Sequence, residues 1–296
     1  MRFTIAGAGA IGSLWAIQLS KAGHQVQLWT RDEKTTDWRQ LESEPQHSFT
    51  CNNRKFLSQS DCILVTVKAF QVVELLSDIA ANIHPDALLM IMHNGMGTET
   101  TVAKKLPKNP MVYATTTHGC LRLSEHVIRH TGLGKTLLGA MNSKAQQCSF
   151  LADVLDHALP PCQWSDDIAA ALWDKLSINC VINPLTALHQ VNNGHLLDPS
   201  FESEITSLCQ EITAVMGAEG IHTSVTQLVN QVFSVASATA TNYSSMNRDI
   251  HFRRQSEIDY INGYLITRAK SHSIAVPCNE KLWHAIKQLE QNYDNA

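Results

Sequence analysis

The chain has 296 residues, 44% of them apolar, and a formal net charge of −4. That is room for two packed domains, and without a long basic run the composition excludes a nucleic-acid surface. No apolar run reaches the ~18 residues of a membrane helix, so no membrane partner is expected.

Phe3 to Ala6 reads as a short buried strand, and Gly7-Ala8-Gly9-Ala10-Ile11-Gly12 follows at once, matching G-x-G-x-x-G. Ile11, Leu14, Trp15 and Leu19 then recur at helical spacing, Gly23 stops the helix, and Val26 to Trp29 reads as a second strand. This strand–turn–helix–strand order is the context that a dinucleotide fingerprint requires. Gly7 permits the tight turn, Gly9 lets a pyrophosphate approach the backbone, and Gly12 lets the helix sit close to the strand. The helix N-terminus offers N–H groups and a positive dipole end to the phosphates. Ala8, Ala10 and Ile11 complete the candidate cofactor loop.

At the end of the second strand, NAD-binding folds usually carry an acid for the ribose 2′-hydroxyl, whereas an arginine suits the 2′-phosphate of NADP. The sequence reads Thr30-Arg31-Asp32. Arg31 sits nearer the expected strand end and can pair bidentately with phosphate, so NADP(H) is the expected cofactor. Asp32 is the competing ribose ligand.

The chain then turns polar to about Pro45, which reads as a surface excursion. Strands are expected at Asp61 to Val67, Ala87 to Met92 and Met111 to Thr117, with helices after Lys68-Ala-Phe-Gln71 and from Thr98. Strand alternating with helix predicts a doubly wound parallel sheet, whose ligands gather at the carboxyl ends of its strands. Arg31, Lys68 and Asn94 stand there. Lys68 reads equally as a phosphate contact or a solvated lysine, and Asn94 as a turn residue or a ligand. Val127 to His130 and Thr136 to Gly139 read as an antiparallel hairpin extending the sheet. Gly132-Leu-Gly134-Lys135-Thr136 imitates the end of a phosphate loop but lacks its first glycine and is followed by a strand. His126 and His130 lack a third ligand, and the eight cysteines show no C-x-x-C, so no metal site is expected. Scattered cysteines in apolar stretches fit a reduced, cytoplasmic protein, as does a start directly on a strand without a leader.

From Asp166 the strand signals fade. The reading is an α/β chain with an N-terminal Rossmann-type doubly wound sheet over 1–165, binding NADP, and an all-helical substrate and catalytic domain over 166–296. A helix capped by Asp166 or Asp167 runs from Ile168 towards His189, with further helices near 200–219, 224–240, 253–272 and 279–292. In the first of these, Lys175, Asn179 and Asn183 recur at i, i+4, i+8 in an otherwise apolar segment, and Pro184 suggests a kink. A solvated face would carry more Glu and Lys; asparagines suit a fixed polar ligand. A second polar stretch runs from Asn242 to Gly263. Helical spacing makes Asp249, Arg253 and Glu257 read as surface ion pairs, although Glu257 opens a less charged segment and is a candidate buried carboxylate. Lysine and glutamate meeting at a cleft would make an acid–base pair.

Together these blocks resemble the ketopantoate reductase (2-dehydropantoate 2-reductase) family over nearly the whole chain. The resemblance rests on Gly7 to Gly12, Val67-Lys-Ala-Phe-Gln71, His93-Asn-Gly-Met-Gly97, Leu172 to Thr186, Asn193-Gly194, Ser244-Ser-Met246 and Glu257-Ile-Asp-Tyr-Ile-Asn-Gly263. It implies an NADPH-dependent oxidoreductase of pantothenate and coenzyme A biosynthesis that reduces ketopantoate to pantoate. Lys175 would protonate the ketone oxygen and Glu257 would orient the substrate. Asn94, Asn179, Asn183, Asn193, Asn242 and Ser245 would bind substrate, and Arg31, Lys68, Gln71 and Asn94 the cofactor. Ketopantoate is then the small-molecule partner, and the sequence leaves room for a homodimer. Two other readings stay open: a reductase of another 2-oxo acid, and a catalytically silent NADP-sensing regulatory protein.

Overall fold

A computed structural model describes residues 1–293. The described residues form two compact units, residues 1–93 with 98–171, and residues 94–97 with the chain from Leu172 onward. The first unit is built on β1 (Arg2–Ala6), α1 (Ala10–Lys21) and β2 (Gln25–Trp29), continued by β3 (Thr36–Leu41), β4 (His47–Cys51), α2 (Arg54–Ser58) and β5 (Cys62–Val65). There follow α3 (Val72–Ile79), β6 (Leu88–Ile91), α4 (Glu99–Lys105), β7 (Met111–Thr116), β8 (Gly119–Arg122), β9 (Val127–Gly132), β10 (Thr136–Ala140), α5 (Phe150–Ala158) and β11 (Cys162–Trp164). Strand order is β11-β10-β7-β6-β5-β1-β2-β4-β3-β9-β8. The strands from β7 through β6, β5, β1 and β2 to β4 pair in parallel.

Burial explains the apolar runs. Phe3, Ile5, Cys62, Leu64, Leu88 and Met90 share one core with Leu14, Ile17 and Leu19 of α1 and Leu151 and Leu155 of α5. The alternate residues Ile63, Val65, Leu89 and Ile91 are also fully buried, on the opposite face. Parallel strands covered on both faces lose the polar–apolar alternation.

Two stretches differ from the sequence reading. The polar excursion after Arg31 is an antiparallel hairpin, β3 with β4, that joins the sheet beside β2. Two of its charged residues are not solvated. Asp37 and Arg39 are buried as a 2.7 Å ion pair, and Arg39 Nε donates to Ser13 Oγ. The hairpin expected from residues 127 to 139 does not form. β9 pairs with β8 and β3, whereas β10 pairs with β7 and β11. The intervening turn is pinned to β7's end instead: the Thr117 N–H donates to the Lys135 carbonyl, and a Cβ on Gly134 would lie 2.3 Å from the Thr117 carbonyl carbon.

The rest is helical: α6 (Ile168–His189), α7 (Glu202–Ala218), α8 (Val225–Ala238), α9 (Ser245–His251), α10 (Asn262–Ser271) and α11 (Pro277–Gln291). Asp167 starts α6, its side chain accepting from the Ala170 N–H. The helix runs unbroken through Pro184. A proline there denies the Cys180 carbonyl its intrahelical donor, and Asn262 Nδ2 replaces it at 2.9 Å. The Asn262 amide also donates to Asn279 Oδ1, and Asn279 Nδ2 donates to Glu211. The single helix expected over 253–272 is broken. Arg253 takes a φ of +52° and closes α9, and a 3-10 turn over Ile258–Tyr260 precedes α10. Asp249, Arg253 and Glu257 therefore do not share a helix face, and the ion-pair reading of that trio fails. Among the described residues no helix is long and apolar enough to cross a membrane, and no group of three His, Cys, Asp or Glu is placed to hold a metal ion.

Candidate active site

In the first unit, Gly7 has a φ of +106°, and an added Cβ would lie 2.7 Å from the Val67 nitrogen. A Cβ on Gly12 would lie 1.9 Å from the Gly7 carbonyl oxygen. Only glycine fits either position. Gly9, the residue before α1, is different: a Cβ there meets nothing within 4 Å. Gly7 and Gly12 thus pack the turn, while Gly9 leaves its outer side open where the first N–H groups of α1 emerge. Ala8, Ala10 and Ile11 complete this loop, and its shape fits a dinucleotide pyrophosphate.

Arg31 is exposed beyond β2, and among the described residues its guanidinium has no hydrogen-bond or ion-pair partner. Asp32 is engaged: it accepts from Thr30 Oγ1 at 2.5 Å and pairs with Lys34 at 3.2 Å. The Thr30 hydroxyl, ahead of Lys34, holds its carboxyl below the usual range. Lys68 is half-buried after β5, and the Gln71 side chain accepts from its backbone N–H, so the Gln71 carbonyl oxygen closes a turn.

The second unit holds Lys175 and Glu257. Lys175, Asn179 and Asn183 lie along α6. Lys175 is half-buried, and loss of water around its ammonium lowers its pKa from 10.5 to about 8; the Glu257 carboxylate pulls the other way. Glu257 is itself buried, at the start of the 3-10 turn before α10. It accepts a 3.2 Å hydrogen bond from Asn94 Nδ2. Asn94 reaches it because residues 94–97 are seated against the chain leading into α10. The Met96 N–H donates to the Tyr260 carbonyl, and a Cβ on Gly95 would lie 2.2 Å from that same oxygen. Asn179 is half-buried and Asn183 buried, and among the described residues neither amide has a hydrogen-bond partner. A buried amide left unmatched is costly unless something polar meets it.

The remaining candidates separate. Asn193 is buried, but its Nδ2 is used on Thr239 Oγ1, and its Oδ1 is unpartnered. Its backbone N–H donates to the Asn242 carbonyl. Asn242 and Ser245 are exposed. Ser244, not Ser245, is the buried hydroxyl: it caps α9 and meets Thr186 Oγ1 of α6 at 2.8 Å. Asn247 adds to this tie by donating to the Thr186 and Val191 carbonyls. Sequence reasoning missed Asn247 and Asn262. Pro184 signalled the second of these, because a helix proline leaves a carbonyl that some donor must find.

Residues 3–143 match the sequence model of ketopantoate reductase PanE/ApbA, and residues 167–290 that of its C-terminal part. A 2-dehydropantoate 2-reductase of Vibrio cholerae is 44% identical over 296 residues, covering 100% of both chains. The structure of a PanE/ApbA family ketopantoate reductase from Ralstonia eutropha covers 99% of this chain and 100% of its own at 25% identity, with a TM-score of 0.85. That of D-mandelate dehydrogenase with NADH and anilino(oxo)acetate covers 99% of each chain with a TM-score of 0.91; at 23% identity this is a likeness of fold. With the glycine loop in its strand–helix context and a lysine–glutamate pair on the helical unit, full-length identity of this order places the chain in the ketopantoate reductase family.

Proposed function

We propose that this chain is a cytoplasmic oxidoreductase that reduces 2-dehydropantoate to pantoate with NADPH, in the synthesis of pantothenate and coenzyme A. The observation that carries the mechanism is Lys175, half-buried on α6 with its pKa lowered to about 8 beside the Glu257 carboxylate. NADPH, when bound, supplies the hydride. The unit of residues 1–93 and 98–171 would hold it through the Gly7–Gly12 loop, with Arg31 on the 2′-phosphate and Lys68 as a further contact. Reduction of a ketone builds negative charge on its oxygen. The Lys175 ammonium would stabilise that charge and then release a proton to the oxygen, leaving a neutral amine that regains its proton from solvent. A lysine with a pKa near 8 is charged at neutral pH yet gives up its proton readily. Glu257, oriented by Asn94, would accept a substrate hydroxyl, and Asn179 and Asn183 would meet substrate oxygens. Asn193, Asn242 and Ser245 would contribute at the far end of α6.

The test is loss of NADPH absorbance with purified protein and ketopantoate, beside NADH and a second 2-oxo acid. Rapid loss with NADPH and ketopantoate alone is expected. Faster loss with the other acid would keep the mechanism and move the substrate. Absence of turnover despite tight NADPH binding would leave a regulatory protein.

A further inference from the structure

We infer that Asn52 determines the preference for a 2′-phosphorylated cofactor, by fixing the loop that presents Arg31. The inference deepens the reading of Arg31 as the 2′-phosphate ligand and rests on it. Asn52 follows β4 and is a neighbour of the Thr30–Lys34 loop only through folding, 22 residues away in sequence from Thr30.

Its side chain holds the backbone on both sides of Arg31. Oδ1 accepts from the Thr30 N–H at 2.9 Å. Nδ2 donates to Thr30 Oγ1 at 3.2 Å, to the Asp32 carbonyl at 2.6 Å and to the Lys34 carbonyl at 3.1 Å. One amide therefore spans residues 30 to 34, a task needing an acceptor and a double donor on one short side chain. Asn52 also has a φ of +54°, which asparagine tolerates better than most residues. Its own N–H is anchored to the Leu28 carbonyl of β2 at 3.0 Å.

The clamp sorts the loop's charges. Thr30 Oγ1, which receives the Asn52 amide, donates onward to Asp32 Oδ1. Lys34 holds the other Asp32 oxygen and also pairs with Glu125. The acid that could have bound a ribose 2′-hydroxyl is thus spent inside the loop, while the Arg31 guanidinium is left without a partner among the described residues. Glu33, also exposed in the loop, enters no ion pair among the described residues. A loop that withholds Asp32 and offers a planar cation selects a phosphate over a hydroxyl.

Asn52→Gly is the direct test, since glycine accepts the backbone conformation and keeps the bond to Leu28 while deleting the amide. Calorimetric titration with 2′,5′-ADP and with 5′-AMP isolates the 2′-phosphate without turnover. The variant should bind 2′,5′-ADP on the order of tenfold more weakly and 5′-AMP as the native chain does, the size expected for a misplaced charge-assisted contact. In the assay the KM for NADPH should rise while kcat and the KM for NADH hold. Should the glycine variant melt below assay temperature, Asn52→Ser removes the double donor without adding a charge; it should weaken 2′,5′-ADP in the same sense. Arg31→Ala separates the two readings. If it weakens 2′,5′-ADP and both Asn52 variants do not, the assignment of Asn52 is wrong and that of Arg31 stands. If Arg31→Ala binds 2′,5′-ADP normally, the Arg31 reading falls and this one with it. Equal losses for both nucleotides in the Asn52 variants would also overturn the selective role.

Discussion

At residues 7–12 the surface offered to a ligand is backbone: glycines that exclude a Cβ, and N–H groups at the start of α1. On α6 it is side chains, an ammonium and two amides, with a carboxylate brought from 82 residues later in the chain. Backbone geometry is written in adjacent residues, so the first centre is visible as a motif. The second exists only because distant elements hold one another. Asn94 reaches Glu257 across 163 residues, and Asn262 reaches the Cys180 carbonyl across 82.

The largest effect that would sharpen this contrast comes from Lys175→Met. Turnover should fall by about 10²–10⁴-fold, the usual contribution of a general acid, while 2′,5′-ADP binds as before. Lost nucleotide binding would mean that the two centres are not separable in this way. Stability should move the other way. The folded-state pKa of Lys175 lies below its unfolded value, so the cost of its charge is fully present below about pH 8 and is relieved as pH rises towards 10.5. The methionine variant should therefore be more stable to denaturant at neutral pH, by on the order of 1–2 kcal/mol, and lose that alkaline rise.

A smaller effect probes how α6 is held. Asn262→Ala leaves the buried Cys180 carbonyl without its donor and should cost about 1–3 kcal/mol in denaturant unfolding. With Pro184→Ala also in place, residue 184 regains an N–H that can reach that carbonyl, so the Asn262 penalty should shrink by about 1 kcal/mol. Strict additivity would show that Asn262 does not stand in for the missing helix bond.

The sequence revealed the parallel sheet, the glycine loop and the extent of α6, because burial on both faces, glycine spacing and helical periodicity are local signals. The β3–β4 hairpin was hidden because Asp37 and Arg39 satisfy each other inside the fold, so polar residues there do not mean solvent. The break after α9 was hidden because Arg253 adopts a positive φ that its side chain does not announce. Lys175 and Glu257 could be named as candidates from the sequence, but Asn94 as the hydrogen-bond partner of Glu257 could not: its asparagine–glycine setting reads as a turn, and only the seating of residues 94–97 on Tyr260 gives it a target.

The measurement that tests the account most directly is the pH dependence of kcat/KM for ketopantoate, in the native chain and in Glu257→Gln. An acid with a pKa of about 8 predicts activity that falls as pH rises through that value. The Glu257 charge raises the Lys175 pKa, so its removal should carry the alkaline limb to lower pH, apart from any loss of rate. A profile flat to pH 10, or a limb that stays in place or moves upward in Glu257→Gln, would contradict Lys175 as the proton donor.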